Sequence, residues 1–337
     1  MSRETKPVPS LSRPFSSGRR RLLSLPLLAT AAPMSKAQGQ YPDKPIRVVV
    51  PFPAGGQTDV VVRLFAQRAE PLLGQPVVIE NRPGASTMIG SEAVAKSPAD
   101  GYTLLFNQTA LVTNQVILQK VPYDAFRDFT PVFRAYESAA VWAVPPNGPR
   151  TLKEFIEQAR AARAPINYGT AGHGSTSHFF GEMLSRAAGV SFTHVAYKGE
   201  QPILPDLISG RLDAGVISTG SAVQYGAEGK VRPLAVSGLR RMTALPGLPT
   251  FEELGVPGLA AESFVGFFAP ANTPKPVVSR LHEVFTKVSA MPGVNERLLA
   301  NGLEVAPPIT VEQFEERMRI ARDQWIVIKK NSGIVVE

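Results

Sequence analysis

The sequence predicts an α/β protein of two lobes, and three observations carry that expectation. Short β-branched runs alternate with amphipathic stretches, and the alternation starts afresh after the proline-rich segment Val144-Pro145-Pro146-Asn147-Gly148-Pro149. Each set contains a glycine-rich loop between a strand and a helix. Such alternation marks parallel β-α-β units with helices on both faces of a sheet. At 337 residues, 44% hydrophobic and 19% charged, the chain can bury a substantial core and has room for two domains.

The N-terminal segment reads as a leader. A basic cluster, Arg19-Arg20-Arg21, precedes the apolar run Leu22 to Ala32, and Ser35-Lys36-Ala37 places small residues where a signal peptidase needs them. Residues 1–37 are therefore expected to be a signal peptide cleaved after Ala37, giving a periplasmic protein. The arginine pair ahead of Leu22-Leu23 also permits the twin-arginine route. The apolar run is about half of the roughly 20 residues a membrane span needs, and Pro26 interrupts it, so no permanent anchor is expected. The leader also accounts for most of the charge. Of the formal +8, residues 1–37 carry seven basic side chains against one acidic, leaving 29 basic and 27 acidic in the remainder. That balance offers no polycationic surface for nucleic acid. The chain has no cysteine, which excludes disulfides, a thiolate nucleophile and cysteine-bound metal.

In the mature chain, Ile46 to Val50 reads as a buried strand, Val60 to Leu73 as a helix and Val77 to Glu80 as a strand. A helix over Ile89 to Lys96 and a strand over Tyr102 to Phe106 follow. Beyond the proline-rich segment, Thr151 and Glu154 form a capping pair for a helix whose apolar face is Leu152, Phe155, Ile156 and Ala159. Strands at Ile166 to Tyr168, Phe192 to Val195 and Ala214 to Ile217 alternate with helices at Phe179 to Ala188 and Ile203 to Ser209, the latter closed by Gly210. After the apolar run Phe264 to Ala269 come two long helices, one from about Pro274 to Ala290 and one opened by Thr310 and Gln313. With no strand set of their own, they are expected to return to the first lobe. The predicted division is 41–143 and 263–337 for lobe 1, with 144–262 inserted as lobe 2 and two crossings forming a hinge.

Two loops point to anion binding. Pro51-Phe52-Pro53-Ala54-Gly55-Gly56-Gln57-Thr58-Asp59 runs from a strand into a helix, where glycines let the backbone approach a ligand and the free amides of the helix start favour negative charge. Asp59 either caps its helix or meets an amino group on the ligand. Tyr168-Gly169-Thr170-Ala171-Gly172-His173-Gly174-Ser175-Thr176-Ser177-His178 repeats the logic in the other lobe. The plainer reading of each is a capped strand-to-helix turn. Neither is a complete nucleotide-binding fingerprint. The amides near Ala54 to Gln57 and Gly172 to Ser175 are the expected donors, with the hydroxyls of Thr58, Thr170, Ser175 and Thr176 beside them. Tyr197, Lys198 and Ser218 follow strands and can reach the same cleft; Phe52 is core or cleft wall. Ser175 with His173 or His178 raises a hydrolase reading, but no G-x-S-x-G elbow is present. His173 and His178 have no carboxylate cluster at ligand spacing, so no metal and no cofactor are expected.

The segments VPFPAGGQTDVVVRLFA, IENRPGASTMIGSEAVAKSPADGYTLLF, VPYDAFRDFTPV, INYGTAGHGSTSHFFGEML, VAYKGEQPILPDLISGRLDAGV, RPLAVSG and ALPGLPTFEELGVPG occur in this order and resemble the tripartite tricarboxylate transporter receptor family, also called Bug proteins. The resemblance runs from about Tyr41 to the end. It implies a type II periplasmic binding fold of two α/β lobes on a two-strand hinge, capture of a small carboxylate, delivery to a membrane permease, and no catalysis. It also implies that the carboxylate sits between the loops at Phe52 to Asp59 and Thr170 to His178. A monomer is expected. Ser86-Thr87-Met88, Gln108-Thr109 and Ser218-Thr219-Gly220 depart from the family's usual residues at the cleft rim. The competing readings are an extracytoplasmic sensor component and a serine/histidine hydrolase.

Overall fold

The computed structural model describes residues 41–137, 139–261 and 263–334. The expected signal peptide lies outside the described residues. The chain forms β1 (Ile46–Val50), α1 (Gln57–Leu73), β2 (Val77–Asn81), α2 (Met88–Ala95), β3 (Thr103–Gln108), α3 (Ala110–Ile117) and β4 (Phe129–Glu137). Next come β5 (Ala140–Val144), α4 (Leu152–Ala161), β6 (Ile166–Thr170), α5 (Thr176–Ala188), β7 (Phe192–Ala196), α6 (Ile203–Ile208), β8 (Ala214–Ser218), α7 (Thr219–Ala227) and β9 (Arg232–Val236). The last elements are β10 (Val265–Pro270), α8 (Lys275–Ser289), α9 (Pro292–Ala300), β11 (Glu304–Val305) and α10 (Val311–Ser332).

Two sheets result. The six-stranded sheet has the order β11-β4-β10-β3-β1-β2 and the five-stranded sheet β7-β6-β8-β5-β9. In each, a parallel trio is followed by one antiparallel strand: β10 runs against β3 and β4, and β5 against β8 and β9. Both antiparallel strands are the ones the chain enters on arriving from the other sheet. The sheets thus share a topology that the sequence, which has no tandem repeat, does not display.

Local chemistry explains the element ends. The run Val48-Val49-Val50 is buried throughout, as suits a strand covered on both faces. Gly74 ends α1 in the left-handed region (φ 70°), its N–H bonded to the Glu70 carbonyl. Thr151 caps α4 by accepting the Glu154 N–H at 3.1 Å, while the Glu154 carboxylate accepts the Arg150 N–H at 2.8 Å. Thr310 and Gln313 complete a full capping box at α10.

The six-stranded sheet buries a run of aromatic rings, with Phe267 stacked on Phe285 at 3.9 Å and tilted against Phe106 at 4.6 Å. Around the five-stranded sheet, Trp142 packs on Phe155, Tyr168 and Phe192. The sequence reading assigned both C-terminal helices to the first lobe. Helix α8 packs on α1 and β4, but α10 covers α3 and β4 and continues onto α5. Its first half buries Phe314, Met318 and Ala321 with Phe264 and Phe268; its second half buries Trp325 and Ile328 with Phe179 and Phe180. One helix therefore supplies both interiors. No helix among the described residues is long and apolar enough to cross a membrane.

Candidate functional site

The loop between β1 and α1 is built to hold its amides in place. Gly55 adopts φ 80°, open only to a residue without a Cβ penalty, and Gly56 stands at the N-cap without a side chain to satisfy the helix start. Asp59, only 3% exposed, reaches back into the turn. One carboxylate oxygen accepts the Gly55 N–H and the Arg63 Nε–H, both at 2.9 Å, and the other accepts Asn81 Nδ2 at 2.9 Å. Asn81 also donates to the Phe52 carbonyl at 3.1 Å, tying β2 to the loop. Burial would raise the Asp59 pKa, but the bonds from Arg63, Gly55 and Asn81 outweigh it and hold the carboxyl below its usual range. Asp59 is a latch for the loop, with its carboxylate already committed. Phe52 packs against the core of the first sheet, and the Thr58 side chain bonds the buried phenol of Tyr136.

Among the described residues, the amides of Ala54, Gln57, Thr58 and Asp59 have no acceptor, while the Gly56 amide faces the Pro53 carbonyl in the turn. The three amides that open α1, Gln57 to Asp59, have the helix dipole behind them, an arrangement that favours an anion. The second sheet meets this helix start through α7. A Cβ on Gly220 would come within 2.6 Å of the Asn301 carbonyl and against Gln57 Nε2, and Gln57 itself donates to Asn301 at 3.2 Å.

The loop between β6 and α5 is more self-contained. Ser175 caps α5, accepting the His178 N–H at 3.3 Å and donating to the Gly172 carbonyl at 2.7 Å. Ser177 accepts the Ala171 N–H at 3.2 Å, Gly174 N–H donates to His178 Nδ1 at 3.1 Å, and Gly172 N–H to the Thr170 hydroxyl at 3.4 Å. Of the expected donors here, Gly172, Gly174 and Ser175 thus bond within the loop, which leaves the His173 amide, with those of Thr176 and Ser177 at the helix start beside it. The Ser175 hydroxyl meets the His178 backbone and not its ring, so the two do not form a nucleophile and base.

The remaining predicted residues divide. Tyr197 donates its phenol to Asp206 at 2.7 Å and is fixed against α6, and that pairing, after burial, pushes its pKa up to about 12. Its side chain is a strut for α6. Lys198 is exposed. Ser218 caps α7, and both its N–H and its hydroxyl donate to the Glu200 carboxylate at 3.0 Å.

His194 is the residue that sequence reasoning missed. Strand pairing sets Tyr168 of β6 opposite His194 of β7, and the His194 ring stacks on His178 at 3.8 Å with His173 at 6.0 Å. Thr170 bonds His194 Nε2 at 2.5 Å. Burial, reinforced by the neighbouring imidazoles, brings the pKa of His178 and of His194 down to about 4, so both rings are neutral near pH 7. The only forward signal was that three of four histidines fall within the second set of elements.

The model of the tripartite tricarboxylate transporter family receptor matches residues 61–334. The chain belongs to that family. Among solved structures the receptor is similar to the periplasmic binding protein BugD, at 33% identity over 88% of this chain and 100% of that one, TM-score 0.79. A Rhodopseudomonas palustris protein solved with adipate is 32% identical over 88% and 99% of the two chains, TM-score 0.80. MatC of the same organism, solved with malate, is 30% identical over 86% and 99%, TM-score 0.76. The receptor is a two-lobed α/β binding protein and not an enzyme, and its family implies a periplasmic location.

Proposed function

We propose that the receptor captures a small dicarboxylate in the cleft between its two lobes and presents it to a tripartite tricarboxylate-type permease. The observation that carries this reading is the start of α1: four unpartnered amides, of Ala54, Gln57, Thr58 and Asp59, on a glycine turn latched from beneath by Asp59. Backbone donors at a helix start neutralise a carboxylate without a buried cation, whose desolvation the fold would have to offset. The adipate and malate bound by two relatives support the ligand class.

In this reading, Ala54, Gln57 and Thr58 hold one carboxylate, and the starts of α5 and α7 close from the other lobe. The lobes are built on the two sheets, residues 41–137 with 263–334 and residues 140–261, because β5 (Ala140–Val144) pairs within the five-stranded sheet and so moves the expected boundary ahead of Ala140, while the second half of α10 reaches across. The chain acts as a monomer after export on a signal peptide ending at Ala37, by the general or the twin-arginine route. A thermal-shift screen of mono-, di- and tricarboxylates tests the binding. A bound ligand at a hundredfold excess over its Kd adds about 2.7 kcal/mol to unfolding stability. Dicarboxylates should give the largest shift, and no shift from any carboxylate overturns the reading.

A further inference from the structure

We propose that His173, His178 and His194 form a binding site for one first-row transition-metal cation of the Zn2+, Co2+ or Ni2+ type. The three residues come from the β6–α5 loop, the first turn of α5 and the middle of β7. Each offers one ring nitrogen, and these nitrogens lie within 4.8 Å of one another. Zinc binds imidazole at about 2.0–2.1 Å, which sets tetrahedral nitrogens about 3.4 Å apart, so the widest pair must close by about 1.4 Å. The loop can supply that movement. His173 is exposed, and it is flanked by Gly172 at φ 145° and Gly174 at φ 69°. The His178 and His194 planes are 16° apart, so one ring must also turn before both nitrogens address a single ion.

Two of the three rings already have polar partners of the kind that support metal-bound imidazoles. The Thr170 hydroxyl holds one nitrogen of His194 and leaves the other for the ion. His178 Nε2 lies 3.9 Å from the Glu182 carboxylate, which the Tyr168 phenol fixes at 2.7 Å. Coordination through His178 Nδ1 displaces the Gly174 amide and completes a carboxylate–histidine–metal chain. An all-imidazole set favours zinc, cobalt, nickel or copper over magnesium or calcium. Three protein ligands leave a tetrahedral ion one open position, for water or an oxygen of a bound anion.

This inference does not depend on the dicarboxylate reading, and the experiment separates them. Mature protein without an affinity tag is stripped with EDTA and titrated with CoCl2 in carboxylate-free buffer, followed by visible absorption and by displacement with ZnCl2. One equivalent of Co2+ should bind with tetrahedral-type bands that Zn2+ abolishes. His173→Ala, an exposed loop substitution, and His194→Gln should each weaken binding by at least about tenfold. Absence of saturable binding, or equal binding by wild type and both variants, overturns the site. Dicarboxylate binding measured in EDTA reads the other proposal: its presence without metal binding refutes the metal site alone.

Discussion

The carboxylate of Glu304 lies 2.7 Å from the guanidinium of Arg240, an ion pair that joins β11 of the six-stranded sheet to the segment following β9 of the five-stranded one. Arg240 reaches Glu137 as well, at 3.2 Å, and the Thr243 N–H donates to Glu304. The Glu304 side chain is 8% exposed. Burial alone would raise its pKa, but the Thr243 amide and Arg240 bring it below the ordinary glutamate value of 4.5. A carboxylate depressed in this way contributes stability above its unfolded pKa, and that contribution is lost as pH falls through the lower folded value. Glu304→Gln should lower unfolding stability at neutral pH by about 1–3 kcal/mol. It should also flatten the acid dependence below pH 4.5. Chemical denaturation of both proteins across pH 3 to 7 reads this, and parallel curves would contradict it.

Asp59 gives a second test. Asp59→Ala removes the acceptor shared by Gly55, Arg63 and Asn81 and frees the glycine turn. Unfolding stability should fall by about 1–3 kcal/mol. Dicarboxylate affinity should fall as well, since the turn must then be ordered on binding. Calorimetric titration that finds affinity unchanged would remove the latch from the binding account.

At Gly220, the hydrogen facing Asn301 leaves no room for a methyl group. Gly220→Ala should separate the start of α7 from the α9–β11 turn at about 1–3 kcal/mol, the usual range for overpacking. The expected result is a larger radius of gyration by small-angle scattering with dicarboxylate present, and an affinity lower by roughly five- to a hundredfold.

The segment Ala85-Ser86-Thr87 has φ of 46°, 51° and 75° at three successive residues that carry a Cβ. The exposed Ser86 is the least constrained, and Asn114 bonds only its backbone carbonyl. Ser86→Gly should therefore stabilise by up to about 1 kcal/mol, as relief of left-handed strain exceeds the added chain entropy. A denaturation midpoint that moves down would show the strain to lie elsewhere.

The sequence made the parallel trios legible because continuous buried runs such as Val48-Val49-Val50 and the caps at Thr151 and Thr310 are local signals. Strand β4 was not legible: it contains Pro131 and the buried Arg134, and its pairing with β10 joins residues far apart in the chain. Helix α7, with Gly220 and Gly226 and few large apolar residues, lacks the periodicity that marks a helix. In the site, the glycine turn ahead of α1 was legible because Gly55 and Gly56 sit directly between a strand and a helix. The commitment of Tyr197 to Asp206 and the arrival of His194 beside His178 depend on strand register and packing, which no short motif encodes.

Helix α10 also bears on how this molecule matures. The last long helix among the described residues supplies Phe314 and Met318 to one interior and Trp325 and Ile328 to the other. The chain also crosses between the sheets at the antiparallel strand of each, into β5 and back into β10. Neither interior is complete until α10 is in place. Completion of the two interiors is thereby coupled through contacts between residues far apart in the chain, the kind that slow folding.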